Sequence, residues 1–312
     1  MRSTTARRAV SSALAIASLL GTIGASTAVS AQQPLPRIGG PSLDPSVCRT
    51  YTHRVAGTLS DGALNEVSGM SRGRRDESVL WVHEDSGAKA DVHALTLTGR
   101  SRQTFRLDGV TAKDWEDMDV GPGPQAGVNY LFMGDIGDGG KNRANITINR
   151  VPEPAVTGAA GITPLAGTQQ IVAKYPDGAR NAEAMAVGAD GSIYIFTKEA
   201  STRVYVLPYP QSTTGVTTMT RLAAGVLGSR TDVSGADIRQ DGRALIVRGY
   251  RSAWTWPING GESMSTTLAR TPCITATFRD ERQGEAVAFL ANDGSYTSTG
   301  EMVTAPVRQY TL

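Results

Sequence analysis

Glu66-Val67-Ser68-Gly69-Met70, Asp114-Trp115-Glu116-Asp117-Met118, Asn181-Ala182-Glu183-Ala184-Met185, Asp232-Val233-Ser234-Gly235-Ala236 and Gln283-Gly284-Glu285-Ala286-Val287 align without a gap. Each reads polar, any, Glu or Ser, small or Asp, apolar. Three copies run on into an Asp-Gly turn (Asp190-Gly191, Asp241-Gly242, Asp293-Gly294) and then into strand-like stretches at 192–197, 244–248 and 295–299. Asp-Gly between alternating apolar residues is a hairpin signal. The first two copies reach their second strands, at 79–83 and 130–134, through other turns. Third strands follow in most copies, at 92–97, 146–151, 203–207 and 253–258, and fourth strands show at 103–107 and 169–174.

Counted at the Glu/Ser position (68, 116, 183, 234, 285), the repeat recurs after 48, 67, 51 and 51 residues. That is the length of a four-stranded propeller blade. The long interval holds Pro152-Glu153-Pro154 and a Gly/Ala-rich run to Gly167, which reads as an extended surface loop. Too few residues follow Glu285 for a whole blade, and one unassigned strand, 50–59, precedes the first copy. Joined, they complete a blade and leave no open sheet edge. The expectation is an all-β, five-bladed propeller closed by an N-terminal outer strand, with six blades as the neighbouring count.

Gly is abundant (35 residues) and no helical apolar period persists past the N-terminus. Residues 1–31 carry Arg2, Arg7 and Arg8, an apolar run and Ala28-Val29-Ser30-Ala31, the pattern of a secretory signal peptide. Residues 32–47 read as a linker and 48–312 as the propeller domain. Removing the leader removes three cations from the 31 Lys+Arg that face 29 Asp+Glu, so binding of nucleic acid through bulk positive charge is excluded. No later segment is apolar enough to span a membrane, so a secreted, monomeric protein is expected. Cys48 and Cys273 are the only cysteines. In an exported chain they read as a disulfide stapling the ring closure, against the alternative of two buried thiols.

Residues i and i+2 of a strand share a face. The repeat therefore stacks two tiers on the channel axis: Glu66, Asp114, Asn181, Asp232 and Gln283 above Ser68, Glu116, Glu183, Ser234 and Glu285, with Met70, Met118, Met185, Ala236 and Val287 packed below. Six carboxylates (Glu66, Asp114, Glu116, Glu183, Asp232, Glu285) would converge. At an effective dielectric of about 20 and about 5 Å spacing, each like-charged pair costs roughly 3 kcal/mol. Calcium meets that need, because it takes six to eight oxygen ligands in flexible geometry; absence of His and Cys from the tiers disfavours zinc. A water-filled channel whose acids are satisfied by N–H groups and cations is the alternative.

The ends of the second strands ring the same mouth. They carry His83, Asp85, Asp135, Lys198, Glu199, Arg248 and Arg251. Lys198, Arg248, Arg251 and Asp135 are candidates for holding a small anionic ligand, and His83, Asp85 and Glu199 for proton transfer, unless these are only solvated loop tips. Three motif-like strings carry little. Gly69-Met70-Ser71-Arg72-Gly73 has the nucleophile-elbow spelling without a following helix. Gly134 to Lys141 lacks the residues of a phosphate loop, and Asp135-Ile136-Gly137-Asp138-Gly139 lacks a ligand of a calcium hand.

The blade grammar, with acids on successive inner strands, resembles the phytase-like β-propellers and the five-bladed calcium-activated apyrases. The segments holding Glu66, Glu116, Glu183, Asp232 and Glu285 look like the axial elements of those families, while Ser68 and Ser234 depart from them and no dense Lys/Arg face is present. The resemblance implies calcium binding and phosphoester hydrolysis. A non-catalytic extracellular scaffold that binds a protein or glycan is the competing expectation, and a sugar hydrolase using two of the carboxylates is a third.

Overall fold

Strand alternation determines how this chain packs. In β-rich segments such as Ile193-Tyr194-Ile195-Phe196, successive side chains must face opposite sides of the sheet. In the computed structural model they do: Ile193 and Ile195 enter one apolar cluster with Phe132, Met185 and Tyr205, while Phe196 and Tyr194 join another with Trp254 and Trp256. Leu245 and Val247 divide from Ala244 and Ile246 in the same way. Five such clusters fill the five interfaces between neighbouring blades. The structure describes residues 47–60, 64–85, 87, 89–228, 230, 232–278, 281 and 283–312, all within one compact unit. The expected leader and all but the last residue of the expected linker lie outside the described residues.

Strand β1 (Thr52–Thr58) is followed by blade one, β2 (Val67–Arg72), β3 (Val79–Glu84), β4 (Asp91–Thr96) and β5 (Ser101–Leu107). Blade two is β6 (Trp115–Pro122), β7 (Asn129–Asp135) and β8 (Ile146–Pro152), then, after β9 (Ile162–Leu165), β10 (Gln169–Lys174). Blade three is β11 (Ala182–Val187), β12 (Ile193–Thr197) and β13 (Arg203–Leu207), then, after β14 (Val216–Thr218), β15 (Thr220–Ala224). Blade four is β16 (Val233–Ile238), β17 (Ala244–Gly249) and β18 (Ser252–Pro257), then α1 (Met264–Leu268) and β19 (Cys273–Thr277). Blade five is β20 (Gly284–Phe289), β21 (Tyr296–Gly300) and β22 (Pro306–Thr311), completed by β1, which pairs antiparallel with β22 from Thr52 opposite Thr311 to Thr58 opposite Pro306. The inner strands β2, β6, β11, β16 and β20 touch in sequence, and β20 returns to β2. Five blades and closure by the N-terminal strand are as the repeat predicts.

The closure is stapled: Cys48 and Cys273 form a disulfide with 5.4 Å between their Cα atoms, joining the residues before β1 to the outer strand of blade four. In the chain-entropy account a loop of 225 residues contributes at most about 5 kcal/mol. Among the described residues no helix is long and apolar enough to cross a membrane.

The region expected to be an extended loop contains a strand. β9 leaves the body of blade two and pairs in parallel with β5, Thr104 opposite Ile162. β14 likewise leaves blade three and pairs in parallel with β10. At the next position α1 replaces the added strand: Met264 and Leu268 share a cluster with Leu222 and Ala223 of β15. Three blades thus have their outer edge covered by the following blade, which removes exposed N–H and C=O rows. Ser263 starts α1 by accepting the Thr266 N–H (3.2 Å).

Candidate functional site: an acidic channel mouth built on five bulges

Every inner strand breaks register once, and at the same repeat position. Val67 pairs with Glu84 and Gly69 with His83, leaving Ser68 as the extra residue. Glu116, Glu183, Ser234 and Glu285 are the extra residues of the other four blades. A β-bulge puts two residues opposite one and re-aims the side chain of the inserted one. The deeper tier is therefore a ring of bulges. Strict period-two reading fails below it, because each bulge shifts the phase by one residue. Met118 and Met185, expected beneath the acids on the axis, pack instead into interblade clusters.

The axis is occupied by Asp117. Its Oδ2 accepts the N–H groups of Met185 in blade three (2.8 Å) and Ala236 in blade four (2.9 Å), and its Oδ1 accepts that of Met118 (2.8 Å). A side chain from blade two that reaches both those strands must sit at the centre of the ring. Further down, Asp119 accepts Ser71 Oγ–H from blade one (2.9 Å) and the Val187 N–H from blade three (2.6 Å), and Asp237 of blade four accepts the Phe289 N–H from blade five (2.6 Å). These acids satisfy inner-edge N–H groups that have no strand partner. The repeat alignment concealed them, since they vary from blade to blade; the unusual Asp117-Met118-Asp119 alternation was the available signal.

Above Asp117 the mouth is strongly acidic. The two deeper-tier serines are structural: Ser68 Oγ–H donates to the Glu116 carbonyl (2.5 Å) and Ser234 Oγ–H to the Gly284 carbonyl (2.8 Å). Glu116, Glu183 and Glu285 remain. Burial, then repulsion from Glu183, Asp85 and Asp114, pushes the Glu116 carboxyl up to about 11. Burial raises Glu285 to about 8 and Glu301 to about 7, the latter also through Asp85 and Glu66. Burial and Asp85 raise Asp114. Burial raises Glu183 too, although Lys198 forms an ion pair with it and pulls the other way. Asn181 orients that glutamate, donating to Glu183 Oε1 (3.1 Å) and accepting the Asp138 N–H (2.7 Å).

Asp85, at the exit of β3, Asp114, just before β6, and Glu116, on the bulge, bring one carboxylate oxygen each within 4.8 Å of one another. The wall beside them is Gly137. A Cβ there would lie 2.2 Å from Glu116 Oε1 and 2.5 Å from Asp114 Oδ2, so the absence of a side chain is what admits both carboxylates. Hard oxygen donors in a confined, preformed set fit calcium well.

Other residues expected at the mouth are placed differently. His83 is fully buried, edge-on to Trp115 (5.3 Å between centroids), with burial lowering its pKa. Its ring stands against Gly69, where a Cβ would meet Nε2 at 2.3 Å, so it fills core space instead of reaching the mouth. Arg248 is also fully buried, ion-paired with Glu281 (2.9 Å). Glu199 is held by Lys141, Arg180 and Arg203. Asp135 pairs with Arg143 (2.7 Å), and Asp138 accepts the Asn142 and Arg143 N–H groups of its own loop. Arg251 and Glu66 are exposed, and the Asp232 carboxylate lies against Gly249. The mouth therefore joins Asp85, Asp114, Glu116, Glu183, Glu285 and Lys198, with Glu301 at its edge and Tyr250 beside Lys198.

The chain matches no protein-family model and no curated protein. Solved structures with a similar chain path include the PQQ-bound form of an aldose sugar dehydrogenase from Streptomyces coelicolor (TM-score 0.45, 12% identity, covering 84% of this chain and 98% of that one). The apo form of the soluble aldose sugar dehydrogenase from Escherichia coli is another (TM-score 0.47, 10% identity, 84% and 99%). Likeness at this level carries no residue role or activity across.

Proposed function

We propose that the protein is a secreted propeller that binds a hard divalent cation, calcium foremost, at the channel mouth and a small anionic ligand beside it. The observation carrying this reading is the trio Asp85, Asp114 and Glu116, packed against a side-chain-free wall at Gly137. Lys198, the basic group among the mouth residues just named, is already engaged by Glu183. An anion entering such a field needs added positive charge. Bound calcium would supply that charge and polarise a ligand oxygen or a water. Asp85, Asp114 and Glu116 would hold it, while Glu183 fixes Lys198 at the edge. In the light of the resemblance to phytase-like propellers and apyrases, the reaction class is hydrolysis of a phosphoester.

A second reading, a non-catalytic extracellular scaffold stabilised by calcium, is favoured by one observation: His83 and Arg248 lie in the core, which leaves the mouth without them as proton carrier and anion clamp. A panel of phosphomonoesters and nucleotides separates the two, since only the enzyme predicts calcium-dependent turnover that Lys198→Ala abolishes.

The cation itself is tested by melting. At calcium one hundred times its dissociation constant, binding to the folded state adds about 2.7 kcal/mol, so the wild-type midpoint rises relative to chelator. Asp114→Asn with Glu116→Gln should melt identically in both. A wild-type midpoint indifferent to calcium and chelator removes the metal from the proposal.

A further inference from the structure

Lys198 and Tyr250 meet at the edge of the acidic mouth, and donor counting gives their bond a direction. A lysine ammonium has three N–H donors and no acceptor. Lys198 Nζ is bonded to Glu183 Oε2 and to Tyr250 Oη, the latter at 2.6 Å, so the phenol oxygen accepts in that bond. The phenol proton must then point away from Lys198. Among the described residues it donates to no acceptor. Lys198 likewise keeps a third N–H. The pair is partly accessible and firmly held: the Tyr250 N–H donates to the Asp232 carbonyl (3.2 Å), Arg248 donates to the Tyr250 carbonyl (3.4 Å), and the ammonium lies 4.6 Å from the centre of the phenol ring.

Two adjacent donors are therefore left over beside the carboxyl groups of the mouth. We infer that the Tyr250 O–H and the remaining Lys198 N–H form a two-donor clamp for an oxyanion, the phosphate end of a small phosphomonoester, and that the clamp works only when a cation occupies the acidic trio. This rests on the cation site proposed above. Without the cation, the Glu183 carboxylate bonded to Lys198 opposes any anion brought to that lysine. With it, the field at the clamp becomes more positive while the donors need no rearrangement, which is the condition under which fixed donors contribute most. Tyr250 thereby becomes a ligand-binding residue, and binding is ordered, cation first.

The test is calorimetric titration of methyl phosphate into the full-chain protein, with calcium and with chelator, for wild type and Tyr250→Phe. The Phe variant keeps the ring under the ammonium and loses the Lys198 bond to the phenol oxygen, so its melting midpoint should fall only modestly on this partly exposed pair while its calcium affinity should match wild type. A hydrogen bond to a charged group corresponds to at least about tenfold in affinity. The expected result is methyl phosphate binding by wild type in calcium alone, weakened about tenfold or more by Tyr250→Phe. Calcium uptake with methyl phosphate affinity untouched by Tyr250→Phe overturns the clamp and spares the cation site. Equal methyl phosphate affinity with chelator overturns the ordered binding. No calcium uptake by wild type overturns the cation site itself and the clamp that depends on it.

Discussion

Glu281→Gln is expected to cost about 3–5 kcal/mol of stability, the range for removing one partner of a buried ion pair. Arg248 has no solvent exposure, and its guanidinium is placed between blades four and five, donating to the carbonyls of Ala286 (3.1 Å) and Thr299 (3.3 Å) and lying 4.3 Å from the centre of the Phe278 ring. Glu281 supplies the countercharge through Oε2 (2.9 Å), while its Oε1 accepts Ser298 Oγ–H (2.7 Å) and faces Arg308 (3.3 Å). The chain makes room for this arginine at Gly284, where a Cβ would sit 1.6 Å from Nη2. Neutralising Glu281 leaves two guanidinium groups around one amide, one of them with no route to water. For a domain of this size the midpoint of thermal melting should fall by on the order of 10 °C. The double replacement Arg248→Met with Glu281→Leu should recover part of that loss, because removing both charges removes their desolvation penalty, while the Ala286 and Thr299 carbonyls and Arg308 lose their partners. A single Glu281→Gln variant that melts with wild type would show that the pair contributes nothing net.

That arginine also marks where sequence reading stops. The blade count, the closing strand and the disulfide were legible because they depend on spacing: five aligned segments, a leftover strand at each end, and two cysteines flanking the join. Arg248 was read as a mouth ligand because it ends a second strand, which is true. Side-chain direction at a strand end depends on the bulge opposite it, here at Ser234, and nothing in Val233-Ser234-Gly235 announces a bulge. The same cause hid His83, which faces the bulge at Ser68. The place of Glu116 and Asp114 at the mouth is legible because they lie in the repeat, whereas that of Gly137 is not: a glycine that admits two carboxylates cannot be told from a turn glycine until the carboxylates are in place. Ser68 and Ser234, which the repeat places in the deeper tier, bond the carbonyls of the neighbouring inner strand.

Asp237→Asn is expected to stabilise the protein at pH 8 and to flatten its dependence on pH. Asp119 and Asp237 lie in the shaft below Asp117, and between them their carboxyls tie strands of blades one, three and five to blades two and four. The groups that bear on them are each other, Asp117 on β6 and Arg74 in the turn after β2. Burial comes first in raising both: Asp119 reaches about 6, against the attraction of Arg74, and Asp237 stands well above the ordinary carboxylate range, with the Asp119 charge adding to it. In the unfolded chain both acids titrate near 4. The folded state therefore binds protons more tightly, so the stability this pair contributes is complete below pH about 4 and is lost as pH rises, through about 6 at Asp119 and at higher pH for Asp237. An asparagine at 237 can still accept the Phe289 N–H through its carbonyl, and its amide N–H can donate to Asp119 as the protonated Asp237 carboxyl would. Melting curves from pH 4 to 8, taken in chelator so that the mouth acids contribute equally to both proteins, should show wild type falling more steeply than Asp237→Asn, with the curves crossing before pH 8. Parallel curves, or a variant that remains below wild type at pH 8, would mean that the shaft carboxyls keep their charges apart by some other contact, and that the ring is not held through a proton.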